Sequence, residues 1–109
     1  MIKVSIYKNE NNVITGIKLT GHAEYSEKGK DIVCAAVSVL VINTINSIDK
    51  FTSDRFELRQ DEDKGLIEIQ VVEPISDSTS LLLNSLSLGL HGIEKEYSKK
   101  YIKIKEVES

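Results

Sequence analysis

The sequence predicts an α+β fold of order ββαββαβ, two helices packed on a mostly antiparallel or mixed five-stranded sheet. Three observations carry this. Apolar and polar residues alternate near both ends of the chain and again in its middle, the period of half-buried strands. Two longer stretches, 32–50 and 77–99, carry apolar faces at helical spacing instead. Strand and helix patterns are segregated rather than strictly alternating, which separates α+β from a parallel α/β sheet.

The first strand is expected over 2–8, with Ile2, Val4 and Ile6 alternating with Lys3, Ser5 and Tyr7. Asn9, Glu10, Asn11 and Asn12 make a polar turn. The second strand, 13–20, presents Val13, Ile17 and Leu19 on one face and delivers Gly21 and His22 at its end. The first helix is apolar almost all round in its first half, as a core helix is. A hairpin follows. Phe56 and Leu58 alternate with Glu57 and Arg59, residues 61–65 turn, and Ile67, Ile69 and Val71 alternate with Glu68 and Gln70. Pro74 closes that strand. The second helix begins near Ser76 or Asp77. Its Leu82, Leu83, Leu86, Leu90, Ile93 and Tyr97 fall within one arc of about 100°. Leu81 and Leu88, beside Ser85 and Gly92, form a second apolar strip for the first helix or another subunit. His91 falls opposite the main stripe, on the solvent side. A last strand runs over 101–107.

Candidate chemistry concentrates in residues 21–46, which hold the sole cysteine, Cys34, and one of two histidines, His22. Asp31 precedes an apolar run, and aspartate is a favoured N-cap. With Asp31 as the cap, Cys34 sits at N3, where unpaired N–H groups and the helix dipole favour the nucleophilic thiolate. His22 could take the thiol proton or pair with the thiolate. Residues 23–30, polar and containing Gly29, read as a loop that folds His22 back over the helix start and closes as a lid, with Ala23 and Gly29 in it. Three choices stay open. Gly21 either shapes the wall of a site or simply ends a strand. Ser38, one turn after Cys34, bonds into the site or back to its own helix carbonyl. Asp31 caps the helix, orients His22, or does both. The plain alternative for Cys34 is a small buried hydrophobe.

Composition narrows the classes. At 109 residues the chain is expected to be one domain, 1–109, with 40% hydrophobic and 28% charged residues. Its net charge of −3 argues against a nucleic-acid binder relying on a broad basic surface. Lys99, Lys100, Lys103 and Lys105 read as a modest, solvated basic patch. One cysteine excludes an internal disulfide. A strand pattern starting at Met1 leaves no room for a signal peptide, and no apolar run is expected to reach the roughly 20 residues of a membrane helix. The simplest location is the cytoplasm. One cysteine and two histidines make a poor zinc set, and no phosphate-loop or dinucleotide fingerprint is present, so neither metal nor cofactor is expected.

The run Gly21-His22-Ala23, then Gly29, Asp31, Val33-Cys34-Ala35 and Ser38, closely resembles the bacterial ribosomal-processing cysteine proteases of the Prp family. The chain's length, its initial strand pair and its cysteine-bearing helix extend the likeness. The resemblance implies a cytoplasmic, homodimeric cysteine endopeptidase, with no direct contact to nucleic acid or membrane. It would remove an N-terminal extension from the precursor of a large-subunit ribosomal protein, the twenty-seventh, after an aromatic-rich segment. It further implies a catalytic pair of His22 as base and Cys34 as nucleophile, supported by Gly21, Asp31 and Ser38. Two rivals from other classes are a non-enzymatic ribosome-associated dimeric binding module and a thiol redox sensor. The first needs neither residue, and the second needs Cys34 but not His22.

Overall fold

The computed structural model describes residues 1–21, 28–97 and 101–108. The elements are β1 (Ile2–Lys8), β2 (Ile14–Thr20), α1 (Lys28–Phe51), β3 (Phe56–Asp61), β4 (Leu66–Val71), α2 (Asp77–Tyr97) and β5 (Ile102–Glu108). The five strands form one mixed sheet of order β3-β4-β2-β1-β5, parallel only between β1 and β5. The predicted class and element order therefore stand.

Strand alternation sets the two faces. Ile2, Val4 and Ile6 are buried while Lys3, Ser5 and Tyr7 turn to the other side. On α1, Val33, Val37, Val41, Ile45 and Ile48 recur at spacings of four and three, and all are buried. On α2, Leu83, Leu86 and Leu90 do the same. Both stripes share one core cluster with the sheet's buried residues. Each such side chain contributes about 1.5–3 kcal/mol of burial. The two helices approach closely where Gly89 faces Leu40: a Cβ at Gly89 would lie 3.0 Å from Leu40 Cδ1.

A polar cluster ties the end of α1 to the start of α2. Thr52 Oγ1 donates to Ile48 O at 2.7 Å and accepts from the fully buried Thr79 Oγ1 at 3.4 Å. Ser76 Oγ accepts from Thr79 N at 3.2 Å, an N-cap bond. The Asp54 carboxylate accepts from Ser76 N at 2.9 Å and Ser76 Oγ at 2.8 Å. The Thr79 hydroxyl, then the Ser76 amide and hydroxyl, hold the Asp54 carboxyl below its usual range.

Several expectations need correction. First, α1 begins at Lys28, not at Ile32. Asp31 is its fourth residue rather than its cap, Cys34 is its seventh rather than N3, and Gly29 is helical rather than part of a lid loop. An aspartate before an apolar run marks a cap only if the preceding residues decline to be helical, and lysine is a strong helix former. Once packing nucleates the helix, extension by a turn costs little. Second, Ile14 is buried, not Val13, because the β1–β2 register shifts at Tyr7/Lys8. An extra residue there breaks strict alternation. Third, Tyr97 is 40% exposed at the end of α2, beyond the reach of the sheet. Fourth, residues 32–51 of α1 are long and apolar enough, by length and composition, to cross a membrane. The buried stripe from Val33 to Ile48 identifies that apolarity as the core-facing side of a packed helix. The Leu81–Leu88 strip faces outward, at 70% and 76% exposure, rather than onto α1.

Candidate active site

β2 ends at Thr20, and Gly21 follows at φ +115°. A Cβ on Gly21 would collide with the Met1 carbonyl oxygen and sit 3.2 Å from Ile2 Cα. Only glycine lets the chain leave β2 this close to the start of β1.

Cys34 lies one residue beyond the buried Val33, a rotation of about 100° on a helix. That puts its thiol at the margin of the core, half-buried. Ser38 lies four residues on, over the same face. Both line a cleft of about 550 Å3, whose walls include Val37 on α1, Ile2, Leu19 and Gly21 at the sheet end, and Gln60, Asp61, Glu62, Gly65, Leu66 and Ile67 of the β3–β4 hairpin. Sheet order explains the hairpin's presence. β4 pairs with β2, with Ile67 opposite Leu19, so the turn arrives beside Gly21.

Sequence reasoning missed that hairpin wall, having read 61–65 only as a solvated turn. The turn is built locally: Asp61 Oδ1 accepts from Asp63 N at 3.1 Å and Lys64 N at 3.3 Å. Gly65 at φ +59° donates its N–H to Glu62 O at 3.2 Å. No local signal marks the turn as site-forming. The strand order β3-β4-β2 does, and that is a long-range property. Among the described residues, the charged side chains lining the cleft are the carboxylates Asp61 and Glu62.

The cleft thus brings together Gly21, Cys34 and Ser38 of the expected site residues. His22 and Ala23 lie outside the described residues. His91 stands on the exposed side of α2, its Nδ1 donating to Ser87 O at 2.8 Å, away from the cleft. Among the described residues, no three His, Cys, Asp or Glu side chains gather as a metal site.

A lone, half-buried thiol at the edge of a helix–sheet core, opening on a cleft, defines an α+β protein with a thiol site. The comparisons with known proteins then fix which one. The family model described as "Cysteine protease Prp" matches residues 1–103, and the chain belongs to that family. It is a cysteine-type endopeptidase. The ribosomal processing cysteine protease Prp of Staphylococcus aureus (strain NCTC 8325 / PS 47) is 35% identical over 98 residues, covering 90% of this chain and 92% of that protein. That of Bacillus subtilis (strain 168) is 28% identical over 101 residues, covering 89% and 90%. Two crystal structures of the S. aureus protease align over 98% of this chain and 100% of theirs. The one in complex with a substrate peptide has a TM-score of 0.91 at 32% identity. The one with a covalently linked product peptide has 0.88 at 33%.

Proposed function

We propose that this chain, as a single cysteine-protease domain over 1–109, is a processing endopeptidase with Cys34 as nucleophile and His22 as its proton partner. The observation that carries the reading is the half-buried Cys34 thiol opening on the α1–hairpin cleft. It is supported by the likeness to a protease that forms a covalent link to its product peptide.

The Cys34 Sγ thiolate attacks the scissile carbonyl carbon. As the tetrahedral intermediate collapses, the C–N bond breaks and the His22 imidazolium gives its proton to the leaving amine. A thioester remains on Cys34. Water, losing a proton to His22, adds to the thioester carbonyl. The C–S bond breaks, releasing the new C-terminal carboxylic acid, which gives its proton to solvent, and restoring the thiolate–imidazolium pair. With Cys34 seventh in α1, the free N–H groups of the helix start lie about 6–9 Å back along the axis. They are therefore not assigned to the oxyanion. Ser38 supports the nucleophile from one turn away. Asp31, inside the helix, has lost the capping job; orienting His22 is the role left to it. Gly29, helical in α1, does not belong to a lid loop.

The substrate is the precursor of the twenty-seventh large-subunit ribosomal protein, shortened at its N-terminus after aromatic residues. Supporting this are the ribosomal processing named for the relatives and a cleft whose apolar lining, Ile2, Leu19, Val37, Leu66 and Ile67, suits aromatic side chains. The enzyme acts in the cytoplasm as a homodimer. Exposed apolar side chains, Ile32, Val39 and Ile42 of α1 and Leu81 and Leu88 of α2, offer surface for a second copy. The test is incubation of the enzyme with the extended ribosomal protein and mass measurement of the product. Loss of a short N-terminal peptide, dependent on Cys34, is expected. An uncleaved precursor would overturn this substrate assignment.

A further inference from the structure

The face of the sheet turned away from the helices carries a feature that proteolysis does not use. Lys3 of β1 stands directly beside Lys103 of β5, and Ser5 of β1 stands between Lys18 of β2 and Lys105 of β5. Four lysines from three strands therefore ring one shallow depression of about 420 Å3, with the hydroxyls of Ser5, Thr20 and Tyr7 among them. Strand spacing of about 4.8 Å and a two-residue step of about 6.8 Å hold the four Cα atoms within roughly 10 by 7 Å. The chain has 17 carboxylates against 14 cationic side chains, yet no carboxylate lines this depression. Like charges opposite one another across strands destabilise a bare sheet. The net charge of −3 averages away a segregation that only the strand order creates.

We propose that this open face, over β2, β1 and β5, binds single-stranded RNA through its phosphates. The patch is all lysine, without an arginine fork. That suits phosphate point charges better than the paired oxygens of an acidic peptide. Ser, Thr and Tyr hydroxyls complete a phosphate-contacting set. The Tyr7 ring lies on the same face, where a base can stack on it. The apolar residue in the lining, Val4, is buried at 1% exposure, so nothing here inserts into a bilayer. The lysines lie across the sheet from α1 and Cys34, so RNA and a peptide in the cleft occupy different faces. The inference stands apart from the identity of the protein substrate.

The test is fluorescence anisotropy of the full chain with a labelled oligouridylate. Anionic phosphatidylserine vesicles and polyglutamate serve as rival probes. Four phosphate contacts predict a slope of log K against log salt of about −2.8, a loss of roughly 50-fold between about 50 and 200 mM. The quadruple variant K3Q/K18Q/K103Q/K105Q should abolish that slope. Tyr7→Leu should weaken binding about fivefold or more at unchanged slope. A control removing equal charge elsewhere, K50Q/R55Q/K64Q/K95Q, should leave the slope in place, and no variant should unfold well below the parent temperature. Overturning results are no RNA binding at low salt, equal loss in the control variant, or lysine-dependent binding of vesicles or polyglutamate that exceeds RNA.

Discussion

Gly21→Ala tests the joint between fold and site. The φ of +115° at Gly21 lies far from the left-handed α region near +57°, so an alanine there costs about 1–3 kcal/mol in backbone strain. The added methyl also meets backbone, not a flexible side chain: the Met1 carbonyl oxygen, and Ile2 Cα at 3.2 Å. Displacing the start of β1 adds an overpacking cost of about 1–3 kcal/mol. A total near 3 kcal/mol, at roughly 4 °C per kcal/mol for a chain of this size, lowers Tm by about 12 °C. Gly16→Ala separates the two causes. There a Cβ meets Ile69 O at 2.8 Å, but the backbone lies outside the left-handed region, so only the steric part applies. Its loss should be about half as large. Thermal unfolding followed by circular dichroism, with peptidase activity measured on the folded fraction, reads both. Because Gly21 and Ile2 line the cleft, activity should fall further than the unfolded fraction explains. A Tm within about 2 °C of the parent would refute the wall-shaping account.

Cys34→Ala should abolish precursor cleavage with the fold intact, and Cys34→Ser should be nearly inactive; full activity in the alanine variant ends the nucleophile assignment. His22→Ala should lower kcat by orders of magnitude while His91→Ala, on the exposed side of α2, changes it little, and steady-state kinetics of the pair would expose a reversed ranking. The depressed Asp54 carboxyl contributes stability above the unfolded value of about 3.9, lost as pH falls through the lower folded value. Denaturant midpoints of parent and Asp54→Asn should therefore differ most near pH 6 and converge below about pH 4; a pH-independent gap would remove the charge from the account. The double variant Val39→Lys/Leu88→Lys should sediment as a monomer, both side chains being exposed, and an unchanged dimer would move the interface elsewhere.

What the chain disclosed in advance depended on how local each signal was. β1 was readable because Ile2 to Tyr7 alternates without a break, and its bounds match. The Cys34–Ser38 pairing was readable because a four-residue step on a helix needs no tertiary knowledge. β2 was misphased because a register shift adds a residue without changing composition, exchanging Val13 for Ile14 in the core. The start of α1 was misplaced because Asp31 is an equally good first-turn residue, where a carboxylate also meets the helix dipole favourably. The hairpin wall of the cleft, and the joining of Lys3 and Lys18 to the basic patch at Lys103 and Lys105, were invisible for a shared reason. Residues 60–67 reach Gly21, and Lys103 reaches Lys3, only through strand order.

The corrected position of Cys34 changes where its reactivity has to come from. A thiol at N3 would face unpaired amides and the positive end of the dipole, and the fold alone would favour the thiolate. At the seventh position of α1 those amides are spent on the helix ladder, and the dipole's influence has faded beyond the first turn. Among the described residues, the charged groups that line the cleft, Asp61 and Glu62, are negative, so the lining supplies no cation. The proposed mechanism therefore needs a cationic partner from outside the helix, and it gives that role to His22, the residue that follows Gly21 in the sequence. On that proposal the glycine and the dyad work together: Gly21 sets the direction in which the chain leaves β2, and the proposed partner comes next in the sequence.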